Sequence, residues 1–316
     1  MDKLIDINAY PVKDTLKILL QDKSTKKNII WATDIYSEYG PGFNDKNQIK
    51  LSLFNWTNAF KLRPRISKTL DEQQERTRKK AEVMTPVWLC NKMNNYADEQ
   101  WFGRKDVFNH ENDDNTWTVN EEKIVFDGKR TWKKYVDSRR LEITCGEAPY
   151  LVSRYDTTTG ELIVPPICRI GFLDRKLRIV NENTSTEEEW LKWAIRAIQS
   201  CYGYEYQGDN LLIARINVLL SFYEYFTERW DHEPEMKMLT RIANIISWNI
   251  WQMDGLKDTV PLGKPYEENH QITLSELLEL EENNTQPTET TGEAVPCKIY
   301  NWRANTSMLF MKCKKG

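Results

Sequence analysis

Between residues 140 and 255, three short apolar runs that end in turns alternate with two long helical stretches, and this alternation constrains the fold more than any other feature. The runs are RLEITC (140–145), YGYEY (202–206) and IISWNIW (245–251). The order strand, helix, strand, helix, strand predicts an α/β chain with a parallel sheet, because parallel neighbours need a crossover long enough for a helix. Ligands of such sheets bind at the carboxyl ends of the strands.

The intervening segments carry helix signals. Thr186 and Glu189 fit a capping box, and Trp190, Ala194, Ile198 and Cys201 continue one apolar face. Asp209 is placed to cap NLLIARINVLLSFYEYF, whose apolar residues wrap most of the way round, as in a helix packed on a sheet. Upstream, Val12, Leu16 and Leu19 or Leu20 share a helical face, and NIIWAT (28–33) reads as a strand. Residues 61–80 are dense in charge and read either as a solvated helix or as a phosphate-contacting surface. Thr85-Pro86 reads as a helix start with Thr85 as cap and Pro86 in the first position, followed by an apolar face of Leu89, Met93 and Ala97. Near the end, 281–294 reads as a polar linker, and CKIYNW with SMLFM as one or two strands.

Composition excludes several classes. A net charge of −3 is no polycation, and 40% apolar residues with 12 tryptophans suit a folded core. The six cysteines form no CxxC pair and the three histidines stand apart, so neither a metal site nor a disulfide framework is expected. No basic leader and no run of roughly 18 apolar residues is present, so the expectation is a cytoplasmic protein without a membrane partner.

The candidate site follows from the strand ends. After the first strand, Glu142-Ile143-Thr144-Cys145-Gly146-Glu147-Ala148-Pro149-Tyr150 brings small residues into a tight turn, where backbone N–H groups can approach a ligand; a plain strand-to-helix turn would read the same. Glu205 ends the second strand, where a carboxylate can accept both hydroxyls of a ribose while Tyr206 covers an adenine face; a surface acid is the alternative. Asp254-Gly255 follows the third strand and reads as an acceptor for an adenine amino group or as an ordinary Asp-Gly turn. The turn is not a GxGxxG fingerprint, which disfavours a nicotinamide cofactor.

Taken in order, these segments resemble the adenine-N6 DNA methyltransferases of restriction–modification systems, over roughly residues 75–262. The family's helix-opening Thr-Pro is similar to Thr85-Pro86, and its first cofactor motif, Asp/Glu-Pro-Ala-Cys-Gly-Ser-Gly-x-Phe, to Glu142 through Tyr150. The resemblance implies a Rossmann-like core of the class I methyltransferases with an incomplete sheet, and S-adenosyl-L-methionine as cofactor. It would be held by Thr85, Pro86, Glu142, Thr144, Cys145, Gly146, Ala148, Glu205, Tyr206, Asp254 and Gly255. It also implies an N-terminal extension (1–80), a core (81–280) with an insertion at 156–185, and a terminal linker with strands (281–316).

The sequence departs from the family in two ways. Ile143 replaces the motif's proline, and Ala148 its second glycine, which places a methyl group where backbone is expected to approach the cofactor. The acceptor motif Asn/Asp-Pro-Pro-Tyr/Phe, which holds the flipped adenine, is absent. The single Pro-Pro, Pro165-Pro166, lies ahead of Glu205, and the chain ends at Gly316 where a fourth strand is expected. No catalytic residue is therefore assigned. The implied partners are DNA and a complementary chain bearing the acceptor motif and a target-recognition domain; the alternative is a catalytically inactive binding or assembly subunit.

Overall fold

The computed structural model describes residues 4–54, 60–80, 82–265 and 294–314. Helices α1 (Val12–Leu19), α2 (Leu70–Lys80) and α3 (Val87–Phe102) precede a small antiparallel pair, β1 (Asn109–Glu111) and β2 (Trp117–Val119). A short helix, α4 (Trp132–Asp137), leads into β3 (Arg140–Glu142), followed by α5 (Phe172–Asn183), α6 (Glu187–Gln199) and β4 (Cys201–Glu205). Then come α7 (Gly208–Trp230), α8 (Met236–Asn249), β5 (Ile250–Gln252) and an antiparallel hairpin of β6 (Lys298–Asn301) and β7 (Thr306–Leu309).

The central sheet is parallel, in the order β3-β4-β5, with Leu141 opposite Tyr202 and Tyr204 opposite Trp251. Side chains alternate across a strand, so Cys201, Gly203, Ile250 and Gln252 share the face on which α6, α7 and α8 pack. Tyr204 and Trp251 share the other face, where Ile299 and Phe310 of the C-terminal hairpin region cover them. Gly203 lets the turn pack closely on β4: a Cβ there would sit 3.3 Å from Cys145 Sγ, tighter than most side-chain contacts.

The Thr186 cap forms as its sequence predicts: the hydroxyl accepts the Glu189 N–H and opens α6, with Trp190, Ala194 and Ile198 buried. Other elements differ. The run IISWNIW is mostly helix, because Leu239, Ile242, Ala243 and Ile246 bury one face at helical spacing; only Ile250–Gln252 is strand. Asp209 is not a cap; Gln207 holds that position and Asp209 lies inside the first turn of α7. Pro86 rather than Thr85 occupies the cap position of α3, and no side chain caps that helix.

Beyond Val87 and Cys90 in its first turn, the buried face of α3 is polar. Asn91, Asn94 and Asp98 are buried, whereas Met93 is exposed. Hydrogen bonding explains the reversal: Asn94 Nδ2 donates to the carbonyls of Tyr150 (3.1 Å) and Ile170 (2.9 Å), and Asp98 accepts Arg175 Nη1 (2.6 Å) and the Tyr135 hydroxyl (2.9 Å).

Residues 28–33 form isolated bridges instead of a strand. The side-chain amide of Gln252 brackets Ile30, accepting its N–H (2.9 Å) and donating to its carbonyl (2.8 Å), which ties this stretch to the end of β5. Val12, Leu16, Leu19, Ile29 and Trp31 belong to the main core together with residues of α7 and α8, so the N-terminal segment is built into the body. Segment 156–185 likewise contains α5, whose Leu173, Leu177, Ile179 and Val180 are core residues between β3 and β4. The terminal apolar pieces form two strands, while residues 281–293 of the expected linker lie outside the described residues.

Candidate functional site

The carboxyl edge of the sheet is organised around Glu205. Gly146 N–H donates to its Oε2 (2.9 Å), Gln207 N–H to its Oε1 (3.1 Å), and Met253 N–H to its backbone carbonyl (3.0 Å). One buried residue thus joins the turn after β3, the end of β4 and the end of β5. Cys145 N–H adds a bond to the Tyr204 carbonyl (2.8 Å), and Glu142 closes the turn by accepting the N–H groups of Tyr150 (3.3 Å) and Leu151 (3.0 Å).

The turn's backbone is strained. Thr144, Gly146 and Ala148 have φ of 45°, 53° and 66°, a region that glycine enters freely and a β-branched residue seldom does. Strain of this kind persists where surrounding structure over-determines it, and it concentrates at ligand sites. The expectation that Ala148 points its methyl group at a cofactor is corrected: Ala148 is fully buried and packs in the main core, so its departure from glycine appears as backbone strain.

Three acids at this edge are held by hydrogen bonds instead of ion pairs. Burial pushes Glu142 up to about 8 against its two N–H donors, and also raises Glu205 and Glu147. Glu147 accepts Arg65 N–H and the Tyr155 hydroxyl, each at 2.6 Å.

Beside this edge, residues 60–80 and 82–86 lie against the N-terminal end of α7 and are fastened by buried ion pairs. The Arg76 guanidinium lies 2.5 Å from Glu82 and 2.9 Å from Asp209, and donates to the Tyr36 hydroxyl (3.0 Å), Gln207 (3.3 Å) and Asn210 (3.3 Å). Lys68 stands 3.4 Å from Asp209. Burial would push Asp209 up, but Arg76 and Lys68 outweigh it and hold the carboxylate at about 2. Of the charged stretch, residues 70–80 form a largely solvated helix from which Arg76 turns inward, and Lys68, ahead of that helix, is buried as well; both serve as internal fasteners.

The residues singled out in the sequence come together unevenly. Met84 Sδ lies 3.4 Å from where a Cβ on Gly146 would stand, so the segment leading to Thr85 and Pro86 borders the turn; the Thr85 carbonyl accepts the Thr157 hydroxyl (3.1 Å). Tyr206 is half-buried, and its carbonyl accepts from Gln252 Nε2 (2.9 Å). Asp254 follows Met253 on the same edge, but its Oδ1 accepts the Leu256 N–H (3.0 Å), as in an ordinary Asp turn. A Cβ on Gly255 would press within 2.9 Å of the Tyr204 ring. The burial of Glu147, Lys68, Arg76 and Glu82 escaped the sequence reading, since nothing local marks a charged residue as buried. Pro165-Pro166 packs against α7, where the Pro166 carbonyl accepts the Tyr225 hydroxyl (2.8 Å).

Among the described residues no group of three or more His, Cys, Asp or Glu side chains could hold a metal ion, and no helix is long and apolar enough to cross a membrane. No family model, curated protein or solved structure matches this chain. The chemistry must be read from the residues. A buried carboxylate whose two oxygens each accept one N–H keeps further lone pairs free, and those suit a donor pair such as a ribose diol.

Proposed function

We propose that the chain is the S-adenosylmethionine-binding part of a DNA adenine-N6 methyltransferase whose acceptor motif lies outside these 316 residues. The observation that carries this reading is the meeting of the strained turn, Glu205 and the end of β5 on one carboxyl edge of a parallel sheet, in the order the resemblance requires. The donor set suits the cofactor: Glu205 keeps acceptor lone pairs beyond those that backbone N–H groups take, and the turn presents backbone close to Gly146. When bound, the cofactor supplies a sulfonium methyl group for transfer to an exocyclic adenine nitrogen. The chain's own residues bind and orient; Glu142 and Glu147 hold the turn in shape, and Asp254 stands at the adenine end. Positioning of a flipped base needs the missing amide acceptor and stacking ring, so the chain alone should bind without methylating.

Titration calorimetry tests the binding half. Glu205→Ala should weaken S-adenosylmethionine by about 2 kcal/mol or more, with Glu205→Gln milder, because a charge-assisted acceptor in a desolvated site is lost. Equal affinities for wild type and Glu205→Ala would reject the assignment. Tritiated cofactor and adenine-rich duplex DNA test the other half: label should enter DNA only when a polypeptide bearing a strand and Asn-Pro-Pro-Tyr is added. Substantial label from the chain alone would overturn the split.

A further inference from the structure

On the outer side of the helix layer, α4, α6 and α8 border a groove of about 800 Å³. Arg196 and Gln199 line it from the end of α6, just ahead of β4, and Asp137 from the end of α4, just ahead of β3. One end of the groove therefore lies by the amino ends of the strands, away from the edge that holds Glu205.

The lining is apolar beyond what the fold requires. Trp190, Ala194 and Ile198 already give α6 a core-facing stripe. Leu191 and Ile195, four positions apart, form a second stripe, and Trp193 and Met238 join them in the groove. Leu191, Trp193 and Met238 are half-buried, each resting on the core with one side left open. An open trough between helices with apolar anchors along it suits a further helix laid into it.

Charge narrows the choice of occupant. Lys133, Lys134, Lys192, Arg196 and Arg241 line the groove against two acids, Asp137 and Glu188, in a chain whose net charge is −3. Asp137 is already taken, since its two carboxylate oxygens accept from Arg196 and Arg303. Lys192 and Arg241 are exposed and make no hydrogen bond or ion pair among the described residues. A nucleic-acid strand would use free ring faces for stacking its bases. Here Trp132 and Trp193 meet each other edge to face, 4.8 Å between centroids, and Lys133 Nζ stands 5.4 Å from both rings. Unpaired cations among apolar side chains instead complement a polypeptide that is both acidic and apolar.

We propose that this groove docks an acidic amphipathic helix of another protein, with its apolar side chains on Leu191, Ile195 and Met238 and its carboxylates at Lys133, Lys192 and Arg241. The inference goes beyond the methyltransferase reading and does not rest on it. Because the cations are exposed, salt screens their share of the attraction while the apolar share persists.

The probe is a fluorescein-labelled peptide of about 15 residues, long enough for an isolated helix, with leucines at i, i+3 and i+4 spacing and glutamates on the other face. Fluorescence anisotropy with the full chain should show saturable binding, weakened severalfold when salt is raised from about 0.05 to 0.5 M. The double variant Lys192→Glu, Arg241→Glu should weaken it on the order of tenfold and, both residues being exposed, keep the wild-type urea transition. A scrambled peptide of the same composition, without the apolar stripe, should bind at least about tenfold more weakly. No saturable binding, or equal binding by the scrambled peptide or by the double variant, would overturn the proposal. So would a single-stranded oligonucleotide that binds more tightly than the peptide and is lost in the same double variant. Residues 276–282 (ELLELEE) of the chain are themselves acidic and apolar. If Glu276→Lys with Glu279→Lys tightened peptide binding about tenfold, the groove would belong to that stretch and the proposal would fail. It would fail equally if sedimentation showed a wild-type dimer that the double variant abolishes, since the occupant would then be a second copy.

Discussion

Two groups of buried acids sit side by side at the carboxyl end of the sheet, and they are stabilised in opposite ways. Glu142, Glu147 and Glu205 hold backbone N–H groups and a hydroxyl, and burial raises all three. Asp209 and Glu82 face Arg76 directly, and Asp209 is held at about 2. The first group shapes a turn and leaves acceptor capacity unspent; the second consumes its charge in fastening one segment to another. A buried acid without a cation marks a place where a ligand can be received, whereas a fully paired one marks a joint.

The largest effect should come from the joint. Arg76→Ala leaves Asp209 with only Lys68 and Glu82 with only Arg65, each at 3.4 Å, and should cost about 3 kcal/mol in urea unfolding. A loss below about 1 kcal/mol would show that the fastener carries no weight.

The turn should respond to pH with the opposite sign. Glu142 has an ordinary value of 4.5 and sits at about 8 when folded, so its contribution to stability is complete below 4.5 and disappears as pH rises through 8. Asp209 contributes above its ordinary 3.8 and loses that contribution as pH falls through about 2. Glu142→Gln removes this titration and should flatten the profile between about pH 4.5 and 8, while its NH2, facing one of the two N–H donors, lowers stability by about 1–2 kcal/mol at low pH. An unchanged profile in thermal melts would remove Glu142 from the account.

A smaller gain should follow from relieving strain. Thr144 is exposed, so Thr144→Gly trades little packing for a permitted φ and should stabilise by about 1 kcal/mol. A clear loss would mean that Thr144 makes a contact worth more than its strain. Smallest of all, Arg78→Ala, on the exposed side of α2, should change stability by less than about 0.5 kcal/mol, in contrast to its neighbour Arg76.

How much of this was legible beforehand depends on how far apart the partners lie. The Thr186 cap, the strand at YGYEY and the apolar faces of α1 and α6 are local patterns, and they read correctly. So did the convergence of Gly146 and Glu205 on one edge, because parallel order alone dictates it. Arg76 was not legible: it sits in LDEQQERTRKK, where every local cue says solvent, and its acceptor Asp209 lies on a helix far along the chain. The inward polar side of α3 does leave a trace, since Asn91, Asn94 and Asp98 fall at helical spacing, but polar residues at that spacing ordinarily mark the solvent face of a helix. The run ending at Trp251 misled because its isoleucines serve helix packing and strand equally well.

Gln252 brackets Ile30 from 222 positions away, and this sets an order of events during synthesis. At about 5–20 residues per second, roughly ten to forty seconds separate the emergence of the two residues from the ribosome. For that interval Ile29 and Trp31, both destined for full burial, have neither β5 nor α8 to pack against. The earlier-made of the two partners thus waits for the later one, and in that interval it is open to chaperones and proteases.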